Sequence, residues 1–211
     1  MAKQKPVSSK GWITGAVLTV VVFLVGAATF GWYRTEVVES GTGLLSTPVA
    51  TIGGDFSLVD TGNRPFTNKD LLGKPYAMFF GFTYCPDVCP TTLWDASQWL
   101  EELGADADKL NFVYVSVDPE RDTPEQMKSY LSAFNPRIIG LTGPRAEVDR
   151  IIAGYRVYAK RIELDGGDYT MDHTATVYLM DAKGYFAGTI AYQEKPENAV
   201  LKLRRLIGVA D

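Results

Sequence analysis

From Trp12 to Tyr33 the chain runs 22 residues without a charged side chain, WITGAVLTVVVFLVGAATFGWY. As a helix rising ~1.5 Å per residue this spans about 33 Å, enough for the ~30 Å hydrocarbon layer of a membrane. The run has no polar face on which such a helix could meet water. Trp12 at one end and Trp32 with Tyr33 at the other suit the two membrane interfaces. Lys3, Lys5 and Lys10 all precede the run, which predicts a cytoplasm- or matrix-facing N-terminus and an exported C-terminal domain. A cleaved signal peptide would have an apolar core of roughly 7–15 residues and a small-residue cleavage site. This run is longer, ends in aromatics and lacks a clear Ala-x-Ala, so the reading is one uncleaved transmembrane anchor over 12–33 behind a short basic segment, 1–11.

The remainder divides into a tether, 34–52, and a domain, 53–211. Gly41, Gly43 and Pro48, with Ser and Thr between them, give the composition of a flexible spacer. Four of the 21 basic groups (Lys3, Lys5, Lys10 and Arg34) and none of the 25 acidic groups fall in residues 1–34. That leaves 17 basic against 25 acidic groups, a charge of −8, for the rest. A domain this acidic argues against nucleic-acid binding, which needs a cationic surface. Its apolar content, 46% over the whole chain, is enough for a sizeable core.

The domain alternates strand-like and helix-like stretches. Phe56–Val59 followed by Asn63-Arg64-Pro65-Phe66 predicts an opening strand or hairpin. Pro75–Phe82 (PYAMFFGF) and Leu110–Val117 (LNFVYVSV) are continuous apolar runs of strand length, as central strands buried on both faces should be. Between them Leu93, Ala96, Leu100 and Leu103 recur at helical spacing, with Gly104 as a stop. Thr123-Pro124-Glu125-Gln126 opens a second helix, with Thr123 as N-cap, Pro124 at the first helical position and Gln126 completing a capping box. Ile138–Leu141 is a short strand and Pro144 to about Tyr155 a helix. Thr174–Met180 and Tyr185–Ile190 are strands joined by the turn Asp181-Ala182-Lys183-Gly184, and Pro196–Ile207 is the closing helix. This order predicts an α/β domain of thioredoxin-like architecture: a mainly parallel central sheet with an antiparallel edge pair and helices on both faces.

Two cysteines, Cys85 and Cys89, and one histidine, His173, are all that the sequence holds of either type. Two cysteines cannot build a disulfide framework, so their role is local, and export places them in an oxidising compartment. They fall where a buried strand gives way to a helix, within GFTYCPDVCP. Unpaired backbone N–H groups and the positive end of the helix dipole there favour thiolate over thiol. Pro86 and Pro90 stiffen the loop. The Cys-x-x-x-Cys spacing suits a disulfide or one metal ion. It differs from the Cys-x-x-Cys of thioredoxins, and Met78 and Phe82 stand where peroxiredoxins carry Pro and Thr. His173 falls in a loop ahead of the strand TATVYLM, near the place where thioredoxin-like folds bring a cis-proline beside their cysteines. Two thiolates and an imidazole suit Cu(I), or Cu(II) with a further donor; structural zinc would want four protein ligands. A thiol redox pair fits the same residues. Asp172 is placed to orient the imidazole or supply an oxygen from outside the ligand set.

GFTYCPDVCP, then VSVDPERDTPE (Val115–Glu125), then MDHTATVYLMD (Met171–Asp181), in that order behind one anchor, resemble the Sco/SenC family. That resemblance covers about Gly53 to Ile207 and implies a membrane-tethered, thioredoxin-like copper protein that assists assembly of the CuA centre of cytochrome c oxidase. It implies Cys85, Cys89 and His173 as copper ligands, with Asp87 an acid between the thiols that the family pattern shares. The family often has His where this chain has Tyr84. Asp118 and Pro119 end a buried strand, where such folds place functional loops.

Two functional classes follow from the resemblance. One is a copper metallochaperone, holding Cu(I) or Cu(II) received from an upstream donor and passing it to the oxidase subunit that carries the CuA site. The other is a thiol–disulfide oxidoreductase, supplied by an upstream thiol reductant, in which Cys85 and Cys89 are the redox pair that reduces that subunit's cysteines. Redox or copper signalling is a further reading. The expected location is a bacterial inner membrane with the domain in the periplasm, because no Arg- and Ser-rich presequence precedes the anchor; the mitochondrial inner membrane predicts the same topology.

Overall fold

The computed structural model describes residues 21–32 and 51–209, in two compact units, 1–50 and 51–211. In the first unit a helix, α1, covers 21–32. The expected anchor, 12–33, begins before the described residues and ends one residue beyond them, and the tether, 34–52, lies outside them except for its last two residues. Among the described residues no helix is long and apolar enough to cross a membrane.

The second unit is built on a seven-stranded sheet. Its strands are β1 (Ser57–Asp60), β2 (Pro65–Thr67), β3 (Tyr76–Gly81), β4 (Asn111–Ser116), β5 (Ile138–Thr142), β8 (Val177–Met180) and β9 (Phe186–Ile190), in the order β2-β1-β5-β4-β3-β8-β9. Strands β6 (Ala159–Glu163) and β7 (Tyr169–His173) form a separate antiparallel ribbon. Helices α2 (Val88–Leu103), α3 (Pro124–Leu131), α4 (Arg145–Gly154) and α5 (Pro196–Leu206) connect or close the strands.

β3 sits near the middle of the sheet, and all six of its residues are buried. An uninterrupted apolar run is what a strand covered on both faces requires. On one face Phe79 stacks near Tyr114 of β4, which in turn meets Tyr130 of α3, and Gly81 lies against Cys89 of α2. On the other face Phe80 packs against Tyr155, at the end of α4, and Tyr178 of β8. Phenol oxygens of Tyr76 and Tyr155 hydrogen-bond at 2.9 Å there. The helices therefore cover both faces, as expected.

Parallel pairing is confined to β3, β4 and β5, and antiparallel strands flank them on both sides. The expected mainly parallel sheet gives way because the opening hairpin β1–β2 adds antiparallel to β5, making a second antiparallel edge. The other expected elements form within one or two residues of their ends. Gly104 closes α2 at φ +56, a conformation that glycine adopts without steric cost. Thr123 accepts the Gln126 N–H at 3.2 Å as the N-cap of α3.

One departure moves a functional residue. The expected strand Thr174–Met180 starts only at Val177, and His173 is the last residue of β7 rather than part of a loop. Thr174 still belongs to the ribbon, since its N–H is taken by the Tyr158 carbonyl at 3.0 Å. The chain joins the main sheet only where Val177 pairs with Phe79.

Candidate metal centre

α2 begins at Val88, so Cys85 lies in the turn before the helix and Cys89 in its first turn. The Cys89 N–H, one of the donors that a helix start leaves unpaired, points at Cys85 Sγ at 3.3 Å. Pro90 follows where the missing N–H costs no helical hydrogen bond. Cys89 is completely buried and Cys85 half-buried, and both are free thiols. Gly81 makes room for them: a Cβ there would stand 2.8 Å from Cys89 Sγ and 2.8 Å from the Tyr114 ring.

β7 delivers the imidazole. His173 Nε2 lies 3.3 Å from Cys89 Sγ, and Nδ1 lies 3.0 Å from the Thr174 carbonyl. A carbonyl can only accept, so Nδ1 carries the proton and Nε2 turns its lone pair toward the sulfurs. Rings of Phe79 and Phe82 meet the imidazole edge-on at 6.1 and 5.8 Å between centroids. The two Sγ atoms and a ring nitrogen lie within 4.8 Å of one another.

The two thiols are unlike. Cys85 is lowered to about 4, chiefly by a hydrogen bond from the Cys89 thiol, with the backbone N–H groups of Cys89 and Asp87 adding to it against the cost of burial. Burial pushes Cys89 far up, and the neighbouring Cys85 adds to the rise. The metal-free pair is thus a half-exposed thiolate beside a buried thiol.

Of the other residues singled out from sequence, neither Asp87 nor Asp172 belongs to the Cys-Cys-His group. Asp87 is exposed and accepts from Thr91 Oγ1 at 3.4 Å. Asp172 is exposed on β7, one residue out of phase with His173, and the orienting partner of the imidazole is a backbone carbonyl. Tyr84 is exposed. Asp118 is fully buried, and accepts the Tyr169 phenol at 2.8 Å and Arg121 Nε at 2.5 Å.

A supporting residue with no sequence signal of its own is Asp122. It is fully buried and receives Thr83 N–H (3.1 and 3.2 Å), Thr83 Oγ1 (2.6 Å) and Ser116 Oγ (2.6 Å). Burial raises its carboxyl above the ordinary carboxylate range. Through Thr83 it pins the chain two residues before Cys85. The acid-rich stretch VSVDPERDTPE was the only pointer to it.

A dithiol on a helix tip, faced by an imidazole with a free nitrogen, on a thioredoxin-like sheet, defines a protein equipped for soft-metal binding or thiol exchange. The chain belongs to the SCO1/SenC family, whose model matches residues 46–208. It is 38% identical over 159 residues to the mitochondrial protein SCO2 of Saccharomyces cerevisiae, covering 74% of this chain and 53% of that protein. A SCO2-like protein of Rickettsia conorii is 36% identical over 72% of this chain and 76% of its own length. Against the mitochondrial relatives the chain spans about half their length. The structure of Bradyrhizobium japonicum ScoI with copper bound matches with a TM-score of 0.70 and 52% identity, covering 74% of this chain and 99% of that one.

Proposed function

We propose that this chain is a membrane-tethered copper carrier in which Cys85, Cys89 and His173 hold the ion, and that it delivers copper to the CuA-bearing subunit of cytochrome c oxidase. The observation that carries the reading is the convergence of two sulfurs and one imidazole nitrogen within 4.8 Å, on segments 84 residues apart between Cys89 and His173. Thiolates select Cu(I), and an imidazole adds a donor that Cu(II) also accepts. The group has three side chains rather than the four of a structural zinc site. Copper is the cargo, so the site needs donors that release as well as bind. Half-exposed Cys85 is the ligand a recipient's thiolate can reach first, while buried Cys89 is the less accessible of the two. The copper-bound ScoI relative supports this assignment.

The apolar run 12–33 is the anchor in this reading. Large apolar side chains on α1 such as Phe23, Leu24 and Phe30 are exposed, which favours a lipid or protein surround for that helix. The basic segment before it favours a cytoplasmic N-terminus and a periplasmic domain. Residues 53–211 then act at the membrane surface, where an oxidase subunit would be met.

A second reading is favoured by the difference between the two thiols. A Cys85 thiolate would attack a disulfide in the recipient, forming a mixed disulfide and releasing one recipient thiolate. Cys89 would then attack Cys85 Sγ, passing its proton to a departing thiolate, so that the recipient leaves with one thiol and one thiolate and the pair becomes a disulfide. Both readings use the same sulfurs and part at the imidazole. His173→Ala, titrated with Cu(II) in the chain from residue 45 onward, is expected to lose stoichiometric Cu(II) binding while the thiols remain oxidisable. Retained tight Cu(II) binding by that variant would remove the ligand assignment and leave the dithiol reading.

A further inference from the structure

Among the described residues, β7 hydrogen-bonds to β6 and to no strand of the main sheet. No backbone ladder therefore ties the strand that ends in His173 to the scaffold that carries the cysteines. Yet Nε2 sits 3.3 Å from Cys89 Sγ, so the spacing depends on side-chain contacts and on the short connection into β8.

Beside the Phe79 and Phe82 rings that meet the imidazole and Met171 in the core, those contacts include a cluster around Arg121, in the turn between β4 and α3. Its guanidinium carbon lies 3.6 Å from the centroid of the Tyr169 ring, 4.7 Å from that of Tyr84 and 5.9 Å from that of Phe82. Tyr84 immediately precedes Cys85, and Tyr169 is the first residue of β7. Arg121 also donates from Nη1 to the Tyr169 carbonyl at 2.9 Å and from Nε to Asp118 at 2.5 Å, and Asp118 accepts the Tyr169 phenol. Nη2 is buried with no hydrogen-bond partner, so that end of the group is held by ring contacts alone. Arg161 lies 3.6 Å from the same Tyr169 centroid; two guanidinium groups at that distance must occupy opposite faces of the ring. A lysine offers one point charge and can neither stack in this way nor present two donors in a plane.

We propose that Arg121 is a positioning residue for the metal centre: it clasps the His173 ribbon to the cysteine loop and so fixes where the third donor stands. The inference rests on the copper reading above. It implies that the two oxidation states of the ion respond differently. Two thiolates suffice for soft Cu(I), whereas Cu(II) depends on the nitrogen donor. Loosening the clasp therefore weakens Cu(II) and largely spares Cu(I).

The test uses the full-length chain with Arg121→Lys and, because Tyr84 is exposed and its removal leaves the core intact, Tyr84→Ala as a second variant. Each is made with and without His173→Ala. Arg121→Lys is expected to weaken Cu(II) by roughly 10–100-fold, the usual effect of losing a group that orients a ligand. It should also shift the sulfur-to-Cu(II) charge-transfer band and leave Cu(I) affinity close to wild type, with Tyr84→Ala moving the same way by less. In the His173→Ala background neither change is expected to matter further, because a group acting through the imidazole has nothing left to position. In metal-free protein, amide exchange across Tyr169–His173 should quicken in Arg121→Lys. Additive losses in the double variants, or an unmoved Cu(II) band in both single variants, would overturn the proposal, as would failure of both to fold. If the wild-type chain bound no copper, the functional reading would fail by itself, and the exchange of β7 would still decide whether Arg121 holds the ribbon.

Discussion

Cys85 is the residue at which local physics and function meet most directly. The Cys89 thiol and the backbone N–H groups at the helix start stabilise its thiolate and bring it to about 4, against ~8.5 for a free cysteine. In metal-free, reduced protein, iodoacetamide is expected to alkylate Cys85 at a rate that is flat above about pH 5 and falls through about 4. Cys89, fully buried, should stay unmodified. A Cys85 rate still rising through pH 8 to 9 would contradict the arrangement. The sign for stability follows from linkage. The folded value lies below the unfolded one, so this contribution is complete above the unfolded pKa and is lost as the pH falls through about 4. Chemical denaturation of wild type against Cys85→Ser, from pH 3 to 9, measures it as the part of the difference that is lost toward the acid end. At this scale the sequence was readable where chemistry resides in a rare side chain: both cysteines and His173 stand out by scarcity and spacing. What could not be read is the Thr174 carbonyl that fixes the imidazole tautomer, because a backbone acceptor leaves no mark in composition. Asp122 was hidden for the opposite reason, as one acid among several in an acid-rich turn.

Among the elements, the turn from β4 to α3 does more than connect. Asp122 pins Thr83 on one side of it, and Arg121 reaches Tyr169 on the other. Asp122→Ala would leave Thr83 N–H and the hydroxyls of Thr83 and Ser116 without their acceptor, and buried polar groups stripped of a partner cost roughly 1–3 kcal/mol each. The expected outcome is a clear loss in urea-unfolding free energy together with faster alkylation of Cys85. Unchanged stability would mean that the buried carboxyl holds nothing in place. Strands β3 and β4 were legible because burial on both faces demands unbroken apolar runs, and α3 because Thr123-Pro124 writes a cap in side chains. The β6–β7 ribbon was not. Its strands, AKRIE and YTMDH, hold a single buried residue between them, Met171, so neither an apolar run nor an alternation tied to the core betrays them. Placing His173 in a loop followed from that silence.

For the whole molecule, the alternation of strands and helices specified the parallel centre of the sheet, since β-helix-β units leave few other ways to bury their faces. It did not specify that β1 and β2 would add antiparallel beyond β5. Edge pairing depends on which flank is open after the centre has formed, and the local sequence of Ser57–Asp60 carries no record of that. The division between the uncharged run and the domain is a matter of segregation: all three residues of the Cys-Cys-His group lie in the unit 51–211, and the uncharged run lies wholly in the other. Chemistry and location should therefore separate cleanly. Deleting residues 1–34 and exporting the remainder through a cleavable signal is expected to leave copper stoichiometry and the Cys85 alkylation profile unchanged. The same deletion should shift the protein from the membrane fraction to the periplasmic fraction on cell fractionation and lower the yield of CuA-loaded oxidase. A truncated chain that still sediments with membranes would assign the attachment to the domain. One that loses copper binding in vitro would show that the first unit contributes to the centre, contrary to the grouping of its donors.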